Sequence, residues 1–184
     1  MVQLNDAGVE KTMRLGDALD LIAAVPDFPE PGVLFRDLSP LFGSAPAFAA
    51  VVDALGDTLD PDVDLLAAVE ARGFLLAAAL GYARGLGVAL VRKPGKLPSV
   101  AGRIDYELEY GTETLELPSA MVRQGQRVAV IDDVLATGGT AAAARALLDK
   151  VGAVVSGVSV VLELDGLGGR ARLPGVPVHA LRTL

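Results

Sequence analysis

Hydrophobic positions recur along this chain with two periods, and the exchange between them outlines the fold. Leu15, Leu19, Ile22 and Val25 lie on one helical stripe that stops at Pro26, so residues 14–24 read as a helix. Residues 26–32, Pro-Asp-Phe-Pro-Glu-Pro-Gly, are too rich in proline for a helix or a central strand. They read as a rigid loop, with Val33-Leu34-Phe35 a short strand leaving it. Ser44 is a good N-cap, with Pro46 just inside a helix that reaches about Leu59. Leu65–Val69 reads as a buried strand, Gly73–Arg84 as a helix and Val88–Val91 as the next strand.

From Lys93 to Gly111 the pattern loosens. Basic residues and prolines come first, and Ile104 to Tyr110 then alternate weakly, like an exposed hairpin arm with Glu113–Leu117 as its return. With so little apolar face, the arm is expected to be mobile. Gln126–Ile131 is a very apolar strand, followed by a glycine-rich turn and a helix from about Thr140 to Val151. That helix carries Ala144, Leu147, Leu148 and Val151 at i, i+3, i+4 and i+7. Ala153–Leu164 supplies a last long strand. Strand–helix alternation of this kind predicts an α/β fold, with a mostly parallel central sheet flanked by helices and right-handed crossovers. No internal repeat or low-complexity linker interrupts it, so residues 1–184 read as a single domain.

Composition narrows the function classes. Hydrophobic residues make up 52%, which supports a buried sheet, and with 4% aromatics and no Trp the core must be built from Val, Leu and Ala. A net charge of −7 argues against nucleic acid or an anionic membrane as partner. Cysteine is absent and His179 is the single histidine, which excludes thiolate chemistry and makes a His-based metal site or a Ser-His-Asp triad improbable. His179 itself reads as a solvated strand residue. The longest uncharged run, Leu38 to Val52, is 15 residues and holds two prolines, too short for a membrane span of about 20. The N-terminus shows no signal-peptide pattern. A soluble, cytoplasmic α/β domain is the expectation.

The chemistry concentrates in Val128-Ala129-Val130-Ile131-Asp132-Asp133-Val134-Leu135-Ala136-Thr137-Gly138-Gly139-Thr140. An apolar strand ends in two carboxylates, and a turn of small residues then opens a helix. Strand ends of open α/β sheets line the ligand crevice. The N–H groups of the turn and of the helix start form a cup for phosphate, and two threonine hydroxyls add donors. Carboxylates at the rim suit sugar hydroxyls, or a hard cation that keeps its waters. A phosphate site beside a diol site describes a ribose 5-phosphate. The alternatives are a plain strand–turn–helix with a solvated Asp pair, a phosphorylatable Asp, and a P-loop, although no Gly-Lys-Ser/Thr follows.

This segment resembles the phosphoribosyl pyrophosphate signature of the type I phosphoribosyltransferases. Four further stretches resemble the adenine phosphoribosyltransferase branch of that family, in its order and spacing. They are Phe28-Pro29-Glu30-Pro31-Gly32-Val33-Leu34-Phe35-Arg36-Asp37, Glu70-Ala71-Arg72-Gly73-Phe74, Val91-Arg92-Lys93-Pro94-Gly95-Lys96-Leu97-Pro98 and Leu108-Glu109-Tyr110-Gly111. The likeness spans roughly Leu15 to Arg170.

What the resemblance implies is specific. The fold would be that of the type I family, with a flexible catalytic arm and a small hood over the base. The reaction would join adenine to phosphoribosyl pyrophosphate, giving AMP and diphosphate in purine salvage, and the chain would be a pentosyltransferase. Ala136, Thr137, Gly138, Gly139 and Thr140 would hold the 5′-phosphate, and Asp132 and Asp133 the ribose hydroxyls. Arg72 would grip the leaving diphosphate from a loop often held by a cis peptide that does not precede proline. Lys93 and Lys96 would help neutralise it. Leu34, Phe35 and Arg36 would read the adenine edge, Phe35 either stacking on the base or serving as a core residue. Glu109 and Tyr110 would be catalytic, and Leu164 is a candidate cover for the base. Mg²⁺ would be bound mainly through substrate oxygens and water, and a homodimer is the implied assembly.

Two rivals remain at this point. A related enzyme for 6-oxo purines usually carries a Lys late in the chain, and none follows Lys150 here. A non-catalytic nucleotide sensor would need a DNA-binding appendage or a basic face.

Overall fold

A computed structural model describes residues 13–108 and 111–184. The chain divides after Val51 into two units.

In the first unit, α1 (Leu15–Leu19) is followed by β1 (Ala23–Pro26) and β2 (Leu34–Asp37), an antiparallel pair that sets Val25 opposite Phe35 and Ala24 opposite Arg36. The helix predicted over residues 14–24 therefore stops at Leu19. Its second half is drawn off as a strand because β2 offers a partner that no local pattern announces, and β-branched Val25 is at home there. Between the two strands the proline loop is fixed as expected. Gly32 N–H donates to Asp27 Oδ1 at 2.8 Å, Phe28 N–H to the Val33 carbonyl at 3.2 Å, and the Phe28–Pro29 peptide is cis. Ser39 donates its N–H and hydroxyl to Asp37 Oδ1 at 2.9 and 2.6 Å, which starts the short α2 (Ser39–Phe42). The next helix, α3 (Ala45–Asp57), begins right after Ser44 with Pro46 in its first turn, and the division between the units falls within it.

The second unit is built on β3 (Leu65–Val69), β4 (Gly87–Val91), β7 (Arg127–Leu135), β8 (Val154–Glu163) and β9 (Val178–Thr183). They form a 5-stranded sheet in the order β4-β3-β7-β8-β9, every pair parallel. Helix α4 (Arg72–Arg84) connects β3 to β4, and α5 (Gly139–Lys150) connects β7 to β8. All of β3 is buried, as is most of β7 and β8, which is why their sequences are nearly continuous Val, Ala and Leu. Beyond β8, two 3₁₀ turns (Asp165–Leu167 and Gly169–Arg172) lead to β9, where His179 is exposed as the sequence implies.

One boundary differs in a way that matters for the site. The central strand does not end at Ile131 but runs on through Asp132 and Asp133 to Leu135. On one side β8 keeps pairing with it as far as Leu135–Glu163, whereas on the other side β3 pairs only to Ile131. The carboxylates thus lie within a strand that has lost one of its two neighbours, and a crevice opens where β3 turns away.

The arm is also better anchored than its sequence suggests. Its strands, β5 (Val100–Leu108) and β6 (Gly111–Pro118), set Ile104 opposite Leu115 and Tyr106 opposite Glu113. Leu115 and Leu117 are buried in the main core, with Ile104 and Tyr106 packed against it, and Arg92 bridges to Glu116. The expectation of little burial fails for this root. The period of two places these side chains on one face, which the weak alternation of a single strand had concealed.

Candidate active site

At its end β7 delivers Asp132 and Asp133, and the turn at Ala136–Gly138 then hands the chain to α5. Gly138 is left-handed, with φ +78, and a Cβ there would come within 2.9 Å of Gly169 Cα and closer still to the Gly169 carbonyl oxygen. Only glycine fits on both counts. The helix ladder begins with Ala142 N–H to the Gly138 carbonyl at 2.9 Å, so the earlier N–H groups of the turn are available to an anion. Ala136, Thr137, Gly138, Gly139 and Thr140, with Asp132 and Val160, line one concavity.

A second concavity adjoins it and shares Asp132, Val134, Ala136 and Thr140. Its other wall is the turn from β3 into α4, Glu70-Ala71-Arg72, together with Lys93 and the arm residues Tyr106, Glu113 and Leu115. The Glu70–Ala71 peptide is cis, as the resemblance implies. The first turn of α4 presses on β7, since a Cβ on Gly73 would meet the Ile131 carbonyl at 2.7 Å. Arg72 and the Asp pair are thereby brought together.

Within the protein each of the three expected diphosphate cations faces a carboxylate. Arg72 Nε lies 2.6 Å from Asp133 Oδ2, Lys93 Nζ lies 2.8 Å from Glu113 Oε1, and Lys96 is bonded to Glu70. Lys96 does not line the concavity, and its link to it is Glu70. Burial pushes the Glu70 carboxyl up, but bonds from Lys96, the Lys93 N–H and Arg92 outweigh it and hold the group down at about 2. Arg92 also lies over the Phe74 ring, 5.7 Å from its centroid, and so serves the wall of the site.

The Asp pair is electrostatically costly. Burial raises the Asp132 carboxyl well above its ordinary value, and the charge of Asp133 adds to the rise. Burial also raises Asp133, against the pull of the Arg72 guanidinium. Two carboxylates held this way would gain from hydroxyl donors or a cation at the crevice.

The sequence reading passed over Tyr106 and Glu113. The Tyr106 hydroxyl donates to Glu113 Oε2 at 3.1 Å and accepts from Thr140 Oγ1 at 3.5 Å, linking the arm to the cup. Glu113 is held below its ordinary value, chiefly by the bond from Lys93. Pairing the two arm strands in register would have placed both residues on the inner face. Glu109 and Tyr110, the expected catalytic pair, lie outside the described residues. Leu34, Phe35 and Arg36 belong to the first unit, where Leu34 is exposed and Phe35 meets Phe28 edge-to-face, centroids 5.1 Å apart. Leu164 caps the end of β8, its N–H bonded to the Leu135 carbonyl at 2.9 Å.

No family model matches the chain. It is 57% identical over 174 residues to an adenine phosphoribosyltransferase from Saccharopolyspora erythraea, covering 95% of this chain and 94% of that one. A second relative of the same name, from Clavibacter michiganensis, is 55% identical over 89% of this chain and 93% of its own length. The crystal structure of adenine phosphoribosyltransferase from Thermoanaerobacter pseudethanolicus superposes with a TM-score of 0.89 at 42% identity, over 92% of this chain and 99% of that one. The enzyme from Saccharomyces cerevisiae, crystallised with adenine and an iminoaltritol bisphosphate, gives 0.83 at 34% identity over 91% and 99%. With identity this high over almost its whole length, the chain belongs to the adenine phosphoribosyltransferase family.

Proposed function

We propose that the chain converts adenine and 5-phosphoribosyl diphosphate to AMP and diphosphate, with both of its units acting as parts of one phosphoribosyltransferase domain. One observation carries this reading: two turns suited to anions, after β3 and after β7, open on one crevice with the Asp132–Asp133 pair between them.

In this reading the turn Ala136–Thr140 holds the 5′-phosphate through backbone N–H groups and the hydroxyls of Thr137 and Thr140. Asp132 and Asp133 accept hydrogen bonds from the ribose hydroxyls. Arg72, Lys93 and Lys96 take up the diphosphate, each leaving the carboxylate it now faces. The C1–O bond to diphosphate breaks with its electron pair leaving on oxygen, and a ring nitrogen of adenine bonds to C1 and gives up its proton. No protein nucleophile is required, so the residues act by positioning and by electrostatic stabilisation of the cationic ribosyl centre. By resemblance, Glu109 handles the adenine proton or that cation, and Tyr110 helps exclude water. Leu34, Phe35 and Arg36 are the proposed base readers, on a loop made rigid by its prolines.

Mg²⁺ fits this donor set. The rim offers hard carboxylate oxygens whose mutual repulsion a cation would relieve, and no group of three or more metal-ligating side chains occurs among the described residues. The ion would rest mainly on substrate oxygens and water beside Asp132 and Asp133, where it would supply charge neutralisation for the departing diphosphate.

A homodimer is proposed as the assembly. Supporting it, α4 presents Leu75 and Tyr82 outward, Tyr82 at 94% exposure, an unusual position for a large aromatic. Light scattering of the wild type and of Tyr82→Glu tests this, and a monomeric wild type would refute it. No described helix is long and apolar enough to cross a membrane. A cytoplasmic place and independence from nucleic acid are part of the proposal.

The deciding experiment mixes the protein and 5-phosphoribosyl diphosphate with adenine, hypoxanthine or guanine and follows diphosphate release. Release with adenine above the other two is expected. Release with none would make the chain a sensor, and release with hypoxanthine or guanine first would make it a 6-oxo purine enzyme.

A further inference from the structure

The 5′-phosphate cup is shaped from behind by a strap that does not line it. After β8, residues 164–174 cross behind the turn at Ala136–Gly138, and the closest approach is glycine to glycine. A Cβ on Gly138 would strike Gly169, and a Cβ on Gly169 would meet Leu135 Cγ at 2.9 Å, Gly138 N at 3.2 Å and the Ala136 carbonyl oxygen closer still. The peptide groups that must hold a phosphate are thus in van der Waals contact with Gly169 on their outer side.

What holds Gly169 there is the next residue. Arg170 donates Nε and Nη2 to the two oxygens of Glu163 at 2.6 and 2.7 Å, and Nη1 to the Val178 carbonyl at 2.6 Å. Glu163 is the last residue of β8, only 3% exposed, and accepts a further bond from Thr183 on β9 at 3.4 Å. The fork therefore fastens the strap to two strands at once. Further along, Arg145 of α5 donates to the Pro174 carbonyl at 2.8 Å, which ties the strap's far end to the helix that the cup opens. A buried carboxylate met by a bidentate guanidinium is a rigid joint, and lysine cannot reproduce its geometry.

We propose that Arg170, through Glu163 and Gly169, is a positioning residue for the 5′-phosphate: the joint presses the strap against the Ala136–Gly138 turn and sets the curvature of its N–H groups. This rests on the reading of that turn as the phosphate site. The arrangement explains why a residue on the far side of the turn should influence affinity for one end of the substrate only.

The test compares AMP with adenosine, which lacks the phosphate, by calorimetric titration of wild type, Arg170→Met, Arg170→Lys, Gly169→Ala and Thr140→Val. Arg170→Met and Gly169→Ala are expected to lose roughly 10- to 100-fold in AMP affinity while binding adenosine as the wild type does, in line with a displaced positioning group. Arg170→Lys should fall between. In turnover the same variants should raise KM for 5-phosphoribosyl diphosphate, with kcat and the KM for adenine little changed. Unchanged AMP affinity in either variant overturns the proposal, and so do equal losses for AMP and adenosine, which would mark a general loss of structure. Should Arg170→Met fail to fold, Arg170→Lys decides, because it keeps the charge and loses the two-pronged contact with Glu163. Loss of AMP affinity in Thr140→Val only would leave the cup standing and remove the strap's role. Wild-type affinity in all the variants would remove the cup as well.

Discussion

Arg72 and Asp133 meet at 2.6 Å across the crevice where β3 ends and β7 continues, a guanidinium at the start of one helix against a buried carboxylate in the neighbouring strand. Each is expected to serve a different part of the substrate, and in the protein each neutralises the other. Arg72→Ala should therefore do more than weaken diphosphate binding. It leaves Asp133 buried without its cation, which should cost about 1–3 kcal/mol of stability. Urea unfolding measures this, and the double variant with Asp133→Asn should recover most of the loss.

Asp132→Asn should have the opposite effect on stability. Burial and the Asp133 charge raise the Asp132 carboxyl, so the folded protein disfavours its ionised form. The cost is present where pH lies above the raised value and is relieved as pH falls through it. Above that value the variant should gain roughly 0.5–2 kcal/mol, as at other functional sites kept under strain, while losing most of its turnover. The gain should shrink on acidification, which thermal unfolding followed from pH 9 down to pH 4 would reveal.

Glu70 supplies the reverse case. Its carboxyl is held down at about 2 against an ordinary 4.5, so it contributes stability at neutral pH that is lost as pH falls from about 4.5 toward 2. Glu70→Gln should be less stable than the wild type at pH 7 and should lose less on acidification. Two stability curves that stay parallel from pH 7 to pH 2.5 would show that Glu70 does not bear this load.

Glu113→Gln should lower KM for 5-phosphoribosyl diphosphate. Glu113 holds Lys93 at 2.8 Å in a pair that is partly exposed, with side-chain exposures of 49% and 35%. Such pairs are worth about 0.2–1 kcal/mol, so releasing the lysine should improve affinity by no more than about fivefold. Steady-state kinetics with varied 5-phosphoribosyl diphosphate checks this, and an increased KM would contradict it.

What the chain discloses in one dimension follows the range of the interactions involved. The concavity from Asp132 to Thr140 is lined almost entirely by one contiguous segment, so its residues stand together in the sequence as well as in space. Arg72 and Lys93 stand in short motifs, and the cis Glu70–Ala71 peptide is what the family resemblance implies. Features set by a distant partner were misread or passed over. The helical pattern over residues 14–24 yields to a strand at Ala23 because β2 lies beside it, and β7 outruns Ile131 because β8 continues to Glu163. Tyr106 and Glu113 appear as a pair only when the two arm strands are laid in register.

The unequal lengths of β3 and β7 have one more consequence. The two anion-suited turns follow adjacent strands, so their lateral offset is tied to the interstrand spacing of about 4.8 Å, and their axial offset to the three residues by which β7, ending at Leu135, outruns β3, ending at Val69, in the register that pairs Ile131 with Ala68. Both offsets belong to hydrogen-bonded backbone and cannot drift with side-chain motion. On the proposed reading of the two turns the sheet is a ruler, graduated in strands one way and in residues the other, against which a sugar bearing an anionic group at each end would be measured. A pentose that spans the interval would then engage both turns, whereas a shorter or longer linker between the two anions would reach only one.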